Sequence, residues 1–263
     1  MLRFVLYGAV LFLADIVSAQ EEYSLGARNS ALAGASLTIN DAWANLNNVG
    51  MIGRAENATG AITYQNRYNI PEFMVLGGSY IQTFGLFNTG LSFYRFGTDL
   101  FSEQKLGLAV GNTIQMVSIG AGANLIQYRI EGLGSWQYWV FELGGVAQLS
   151  DQLFIGAHIF NISTGDHFPV MMKAGLSYRP IQELMINLET HKSLDTDARF
   201  VAGIEYYIMK PLALRSGIST RPFKSAFGLG FAIQPLEINY AFSDQSDLGS
   251  IHEVSLNFSL GKP

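Results

Sequence analysis

The side chains best able to do chemistry here are four histidines, His158, His167, His191 and His252, and no cysteine accompanies them. Without cysteine, neither a disulfide nor a thiolate metal centre is available. No two histidines stand two residues apart, the spacing that would aim both rings at one metal from the same side of a strand. Hydrolysis would require a nucleophile within hydrogen-bond reach of a base. Ser177 and Ser219 share the inward parity of His158 and His191, while His167 and His252 read as loop-edge residues, and no spacing couples a serine to a histidine. The expectation is a non-enzymatic chain without metal or other cofactor.

The charged residues form a better-defined group. Glu205 and Arg215 flank Met209-Lys210-Pro211 so that a hairpin centred there sets them opposite one another, and a turn at Leu194-Asp195 would bring Glu189 near Arg199. Lys173, Glu237 and Glu253 join them as an inward polar set. Opposite charges facing each other across strands contribute about 0.2–1 kcal/mol each. We read the set as a satisfied interior network that holds whatever fills the interior, with a polar conduit as the alternative. Trp136, Tyr138, Trp139, Phe141, Phe160 and Phe168 gather around two connections. They read as an interfacial aromatic girdle ahead of a mouth for a hydrophobic ligand or partner.

The elements that must position these residues follow from composition and period. The chain is 49% hydrophobic and 14% charged, whereas soluble domains carry about 25% charged residues. Its net charge of −5 excludes the basic face that nucleic-acid binding wants. Residues 1–19 read as a secretory signal: Arg3, an apolar core Phe4–Ala14, and Val17-Ser18-Ala19 before the cut. Elsewhere no stretch approaches the roughly 18–20 apolar residues of a spanning helix. From residue 57 to 263 the chain instead alternates with period two, as in Val254, Leu256, Phe258 and Leu260 against Glu253, Ser255, Asn257 and Ser259.

Fourteen candidate strands are read between residues 59 and 260. One face is large and apolar, the other small or charged, and an even count returns the C-terminus to the side where the N-terminus starts. Tight turns at Gly111-Asn112-Thr113, Ser150-Asp151, Arg179-Pro180, Met209-Lys210-Pro211 and Gln234-Pro235 alternate with longer connections at Gly97–Ser102, Glu131–Trp136, Ser163–Phe168 and Asp244–Ile251. Residues 73–82 fit either register. Gln127 and Arg129 fall on the apolar face of 115–130, which places them above the membrane or beyond a bulge. The expected fold is all-β: a transmembrane antiparallel barrel of about fourteen strands in the outer membrane of a Gram-negative cell. Such a barrel is too wide for its wall side chains to fill, and residues 20–56, rich in small and amide side chains, have the length and position of a hatch inside the lumen.

In that segment the chain resembles the FadL-type transporter family and its PorV/PorQ relatives. Gly26-Ala27-Arg28 through Ala31-Leu32-Ala33-Gly34-Ala35 is similar to the family's G-A-R-x-x-A-L-G-G-A, and Asn47-Asn48-Val49-Gly50-Met51 stands where the family has N-P-A-G-L. Asn48 replaces the proline. The resemblance implies a hatch carried by Gly26, Arg28, Gly34, Asn47, Asn48 and Gly50. The short connections favour the PorV/PorQ branch, whose members are non-enzymatic accessory barrels of the Bacteroidetes type IX secretion system. That branch implies a larger outer-membrane translocon or assembly subunit as partner, with outer-membrane lipid around the barrel. The alternative is a passive transporter of a small hydrophobic molecule, with the hatch as gate and a lateral gap in the wall near Gln127.

Overall fold

The computed structural model describes residues 23–162, 168–246 and 248–260. The expected signal peptide, the first residues of the expected hatch and His167 lie outside them. Alternation of large apolar with small or polar residues gives fourteen strands. The first seven are β1 (Thr59–Arg67), β2 (Met74–Thr83), β3 (Asn88–Gly97), β4 (Phe101–Ile114), β5 (Val117–Ile130), β6 (Gly134–Gln148) and β7 (Leu153–Phe160). The remainder are β8 (Met171–Ile181), β9 (Leu184–Ser193), β10 (Arg199–Met209), β11 (Leu212–Ser219), β12 (Lys224–Ile233), β13 (Leu236–Gln245) and β14 (Gly249–Ser259). Every strand pairs antiparallel with its chain neighbours, and β1 closes the barrel on β14, from Thr59 opposite Ser259 to Arg67 opposite Ile251.

The pleat sends alternate side chains to opposite faces. On β4, Leu106, Leu108 and Val110 point out while Lys105 is buried inside. Leu108 is 66% exposed, Trp139 62% and Phe200 62%. A continuous apolar exterior of this kind belongs in hydrocarbon, and a closed barrel satisfies every backbone group there because it has no edge. The same parity settles β2, where Val75, Gly77, Ser79 and Ile81 point in and Leu76 and Tyr80 point out.

Several boundaries differ from the sequence expectation. The turn between β4 and β5 is Gln115-Met116, so Gly111-Asn112-Thr113 belongs to β4 and Gln115 takes the positive φ of 55°. Arg179 and Pro180 lie within β8, where a register shift between Tyr178 and Ile181 absorbs the proline. Proline has no N–H to give the ladder, so it sits at an irregularity. The connections after β3, β5 and β13 shrink to 98–100, 131–133 and 246–248 because their strands continue past the apolar band. His252 is likewise on β14 rather than in a loop, its ring nitrogen Nδ1 2.8 Å from the Tyr240 hydroxyl.

No bulge and no gap occurs near Gln127. Pairing through β4, β5 and β6 is unbroken, and Gln127 faces Gln104 on one side and Gln137 on the other. Arg95 continues that outward polar row on β3, which marks the upper edge of the apolar band.

Residues 23–56 make two short helices, α1 (Ala27–Ala31) and α2 (Ala44–Asn47), and a 3-10 helix at Val49–Arg54. Leu25, Leu32, Trp43, Val49 and Ile52 are each 0% exposed against the inward faces of the strands. Backbone lies so close to backbone that the wall gives up side chains. A Cβ on Gly217 would come 2.3 Å from the Leu32 carbonyl carbon, and one on Gly144 would come 2.1 Å from Asn48 Oδ1.

Gly217→Val should therefore destabilise the folded protein in detergent by about 1–3 kcal/mol through overpacking, read as a lower midpoint of heat-modifiable migration. Gly145→Ala is the matched control. Its added carbon would meet nothing closer than 3.6 Å, and its midpoint should stay at the wild-type value.

Candidate functional site

The interior between wall and N-terminal segment is the candidate site, and carboxylates on the wall organise it. Glu253 of β14, 1% exposed, accepts the Gly26 N–H (2.8 Å), the Thr63 hydroxyl (2.8 Å), the Gln65 amide (3.0 Å) and the Ser30 hydroxyl. Gly26 sits at φ 102°, a backbone conformation that suits glycine, and a Cβ there would come 2.6 Å from the Trp43 ring. The G-A-R stretch thus turns sharply beneath an indole, whose Nε1 donates to Asn257 Oδ1 at 2.9 Å.

Arg28, one turn on, grips Glu205 with two donors, Nε at 2.8 Å and Nη2 at 2.5 Å. Glu205 lies opposite Arg215 and receives its Nε at 2.5 Å. Arg215 also reaches Asn239 Oδ1 (2.5 Å) and Glu237 Oε1 (3.3 Å). One buried carboxylate therefore lies between two guanidiniums, one from the segment and one from the wall. Asp41 of the segment stands 3.7 Å from Arg28. Burial pushes its carboxyl up to about 6, against the pull of the Arg28 charge.

Glu189 and Arg199 are not opposite each other. The connection 194–198 is longer than a two-residue turn, so the register places Val201 opposite Glu189 and His191 opposite Arg199. His191 links them: Arg199 Nη2 is 3.0 Å from Nδ1, and Nε2 is 2.8 Å from Glu189 Oε2. A guanidinium only donates, so Nδ1 accepts and Nε2 carries the proton toward Glu189. The other Glu189 oxygen takes the Leu37 N–H at 2.8 Å. Lys173 Nζ donates to Ser24 Oγ at 2.9 Å.

The amide motif works by direct hydrogen bonding. Asn47 pairs with both backbone groups of Leu25, each at 3.2 Å. Asn48 caps the 3-10 helix by accepting the Gly50 N–H (3.0 Å) and donates to Leu37 O (2.7 Å). Its φ is −159° and its N–H bonds Ala44 O at 3.0 Å. Proline holds φ near −65° and has no N–H, so the departure from N-P-A-G-L has a physical reason. Gly50 lies directly on the wall, and a Cβ there would come 2.5 Å from Gly145 N. Gly34, at φ 101°, turns the chain beside His191.

The aromatic group divides by parity. Trp139 and Phe141 point out, into the apolar band. Tyr138, Phe160 and Phe168 point in and join Tyr23, Tyr94, Phe96 and Tyr128 in an inner apolar cluster at the long-loop end. Two charges are set into it: Glu103 accepts from the Tyr23 hydroxyl and from the Tyr128 hydroxyl at 2.8 Å, and Lys105 Nζ stands 5.0 and 5.1 Å over the rings of Tyr23 and Phe160. Sequence reasoning missed Tyr23, Glu103 and Lys105, although the parity of β4 already turns the two charges inward. It also missed the buried pair Glu142 and His158, which are 2.8 Å apart. Ser177 Oγ is buried without a hydrogen-bond partner, and no group of three His, Asp or Glu side chains among the described residues could hold a metal ion.

Glu205→Gln leaves Arg28 and Arg215 with only their longer carboxylate contacts, so it should lower stability by about 3–5 kcal/mol, the range for one partner removed from a buried ion pair. Glu253→Gln loses acceptors facing neutral donors and should lower it by about 1–3 kcal/mol. Denaturation midpoints of the two variants in one detergent test that order. No protein-family model matches the chain, and no curated protein is similar to it in sequence. Solved structures are similar in fold. A FadL homologue of Pseudomonas aeruginosa and the toluene transporter TodX of P. putida each align over 92% of this chain and 100% of theirs, at 12% identity and a TM-score of 0.69. The monoaromatic hydrocarbon channel CymD aligns over 92% of this chain and 99% of its own, at 11% identity and a TM-score of 0.67. The fold is that of FadL-type outer-membrane barrels.

Proposed function

We propose that this chain is a passive transporter of a small hydrophobic molecule across the outer membrane, not an enzyme, with residues 20–56 as the hatch inside its lumen. In this reading residues 1–19 are a cleaved export signal and residues 57–263 the lipid-embedded barrel, with the short turns toward the periplasm. The observation that carries the reading is the inner aromatic cluster. A barrel interior is otherwise polar, yet here Tyr94, Phe160 and Phe168 face inward beneath the long-loop end, above the N-terminal segment. An apolar solute that works its way among these buried rings finds surroundings of its own polarity, and the hatch closes what lies beneath. The likeness to barrels described as a toluene transporter and a monoaromatic hydrocarbon channel favours the same class of cargo.

The lumen set of Lys173, Glu189, Arg199, Glu205, Arg215, Glu237 and Glu253 acts structurally in this proposal, holding the hatch. The accessory-subunit reading, with a type IX translocon as partner, rests on the motif resemblance, the short connections and the lack of a catalytic constellation. Continuous pairing around the described wall leaves displacement of the hatch, rather than a standing lateral gap, as the way through.

Uptake of labelled toluene by cells carrying the chromosomal gene, its deletion or its variants tests this. Phe160→Ala with Phe168→Ala should slow uptake roughly fivefold, the weight of about 1 kcal/mol. Removal of residues 24–50 should make entry faster and unselective. Uptake indifferent to all of these changes, together with co-purification of a larger outer-membrane subunit, would return the accessory reading to first place.

A further inference from the structure

Arg28 and Arg215 inside the barrel meet carboxylates, but two arginines at the short-turn mouth do not. Arg179, inward on β8, has its Cζ 4.2 Å from the centroid of the Phe154 ring, and Arg54, at the end of the 3-10 helix, has its Cζ 5.7 Å from the same centroid. Phe154, at the foot of β7, is 8% exposed, and both arginines are half-buried. Their hydrogen bonds go to neutral acceptors only. Arg54 Nη1 donates to Gln148 Oε1 (3.1 Å) and Nη2 to Met116 O (2.8 Å), while Arg179 Nη2 donates to Thr38 O (2.9 Å). The Nε donor of each is buried without an acceptor. Among the described residues no carboxylate stands at ion-pair distance from either, and Glu205 is committed to Arg28 and Arg215.

Two like charges over one ring repel, and partial desolvation strengthens the repulsion. A ring face attracts each cation but neutralises neither. A neutral donor in place of either arginine would serve the same neutral acceptors and relieve the repulsion, so the hydrogen bonds do not account for the two charges. Both guanidiniums lie against the one Phe154 ring, and the group a guanidinium fork matches is an oxyanion, which it can hold through charge-assisted hydrogen bonds. We propose that Arg54, Arg179 and Phe154 form a binding site for an oxyanion, a carboxylate or a phosphate, presented from the periplasmic side. Phe154 holds the two guanidiniums in place, and the site joins the hatch to β8. The inference stands apart from the transport reading, because it would hold in a barrel that carries nothing.

The test uses the whole mature protein in a neutral detergent, with inorganic phosphate as probe and calorimetric titration as readout. Saturable binding is expected, weakened about tenfold or more in R54Q/R179Q, weakened less in R54K/R179K, which keeps the charge and loses the fork, and unchanged in K224Q at the opposite rim. Heat-modifiable migration reports whether each variant folds. If R54Q/R179Q does not, R54Q and R179Q singly carry the test, each with weaker phosphate binding. Decanoate and decanol distinguish the sources of the anion. Displacement of phosphate by decanoate but not by decanol assigns the site to the head of an amphiphile, and displacement by neither assigns it to a free oxyanion. Absence of phosphate binding in the wild type, or binding equal in the wild type and the folded glutamine variants, overturns the proposal.

Discussion

The interior of this barrel is filled by backbone from the N-terminal segment, and most other features are consequences of that filling. Fourteen strands enclose more width than inward side chains can span, yet less than a folded domain needs. A single chain with two one-turn helices fits, provided the wall recedes where the chain touches it. Glycine at Gly144 and Gly217 is that recession. The segment answers with small residues, alanines through α1 and glycine at Gly50, so that at Gly217 and Gly50 backbone lies against backbone, while at Gly144 the Asn48 amide fills the space. Packing this tight tolerates little added volume, and it fixes the path of the segment before any hydrogen bond is counted.

Polar contacts then orient the segment, and they differ between the two sides of the lumen. Along β10–β14, α1 is held by buried carboxylates: Glu253 gathers four neutral donors and Glu205 takes two guanidiniums. Along β2–β6, α2 and the 3-10 helix are held by amides and backbone, as in Asn45 on the Ser79 hydroxyl (2.7 Å) and Asn88 on Ile52 O (2.9 Å). Hydrogen bonds to charged groups are worth roughly twice those between neutral ones. The segment is therefore moored on one side and merely fitted on the other.

The barrel was legible in the sequence because period-two alternation is written residue by residue, and a one-residue slip would turn every apolar side chain inward. Glu205 opposite Arg215 followed from a hairpin whose two-residue turn, Lys210-Pro211, is marked by its proline. Glu189 and Arg199 did not follow, because the connection 194–198 carries no such marker and its length alone sets the register. The turns at Gln115-Met116 and Gln182-Glu183 were hidden for a related reason: neither contains glycine or proline, while Gly111 and Pro180, which do signal turns, sit inside strands. The aromatic group was visible as a group, but its division into outward and inward halves depends on strand parity across residues separated by a loop. The contacts of the N-terminal segment were the least legible. Those on the carboxylate side join residues more than a hundred positions apart, such as Gly26 and Glu253, and no local pattern encodes such a pairing.

The asymmetry of the mooring bears on how a path could open. With every strand paired to its neighbours, the described wall offers no seam, so under the transport proposal space comes from the segment itself. Displacing α1 would strip Glu205 and Glu253, both buried, of partners, and an uncompensated buried charge is expensive. Displacing the 3-10 helix breaks, apart from the two Arg54 contacts at its end, neutral hydrogen bonds that water can replace. The inner aromatic cluster touches the segment at Tyr23, Leu25, Trp43 and Leu46, so a solute lodged among those rings competes for the surface that seats α2. Movement would then begin at α2 and the 3-10 helix and run toward the short-turn mouth, hinged on the carboxylates that hold α1.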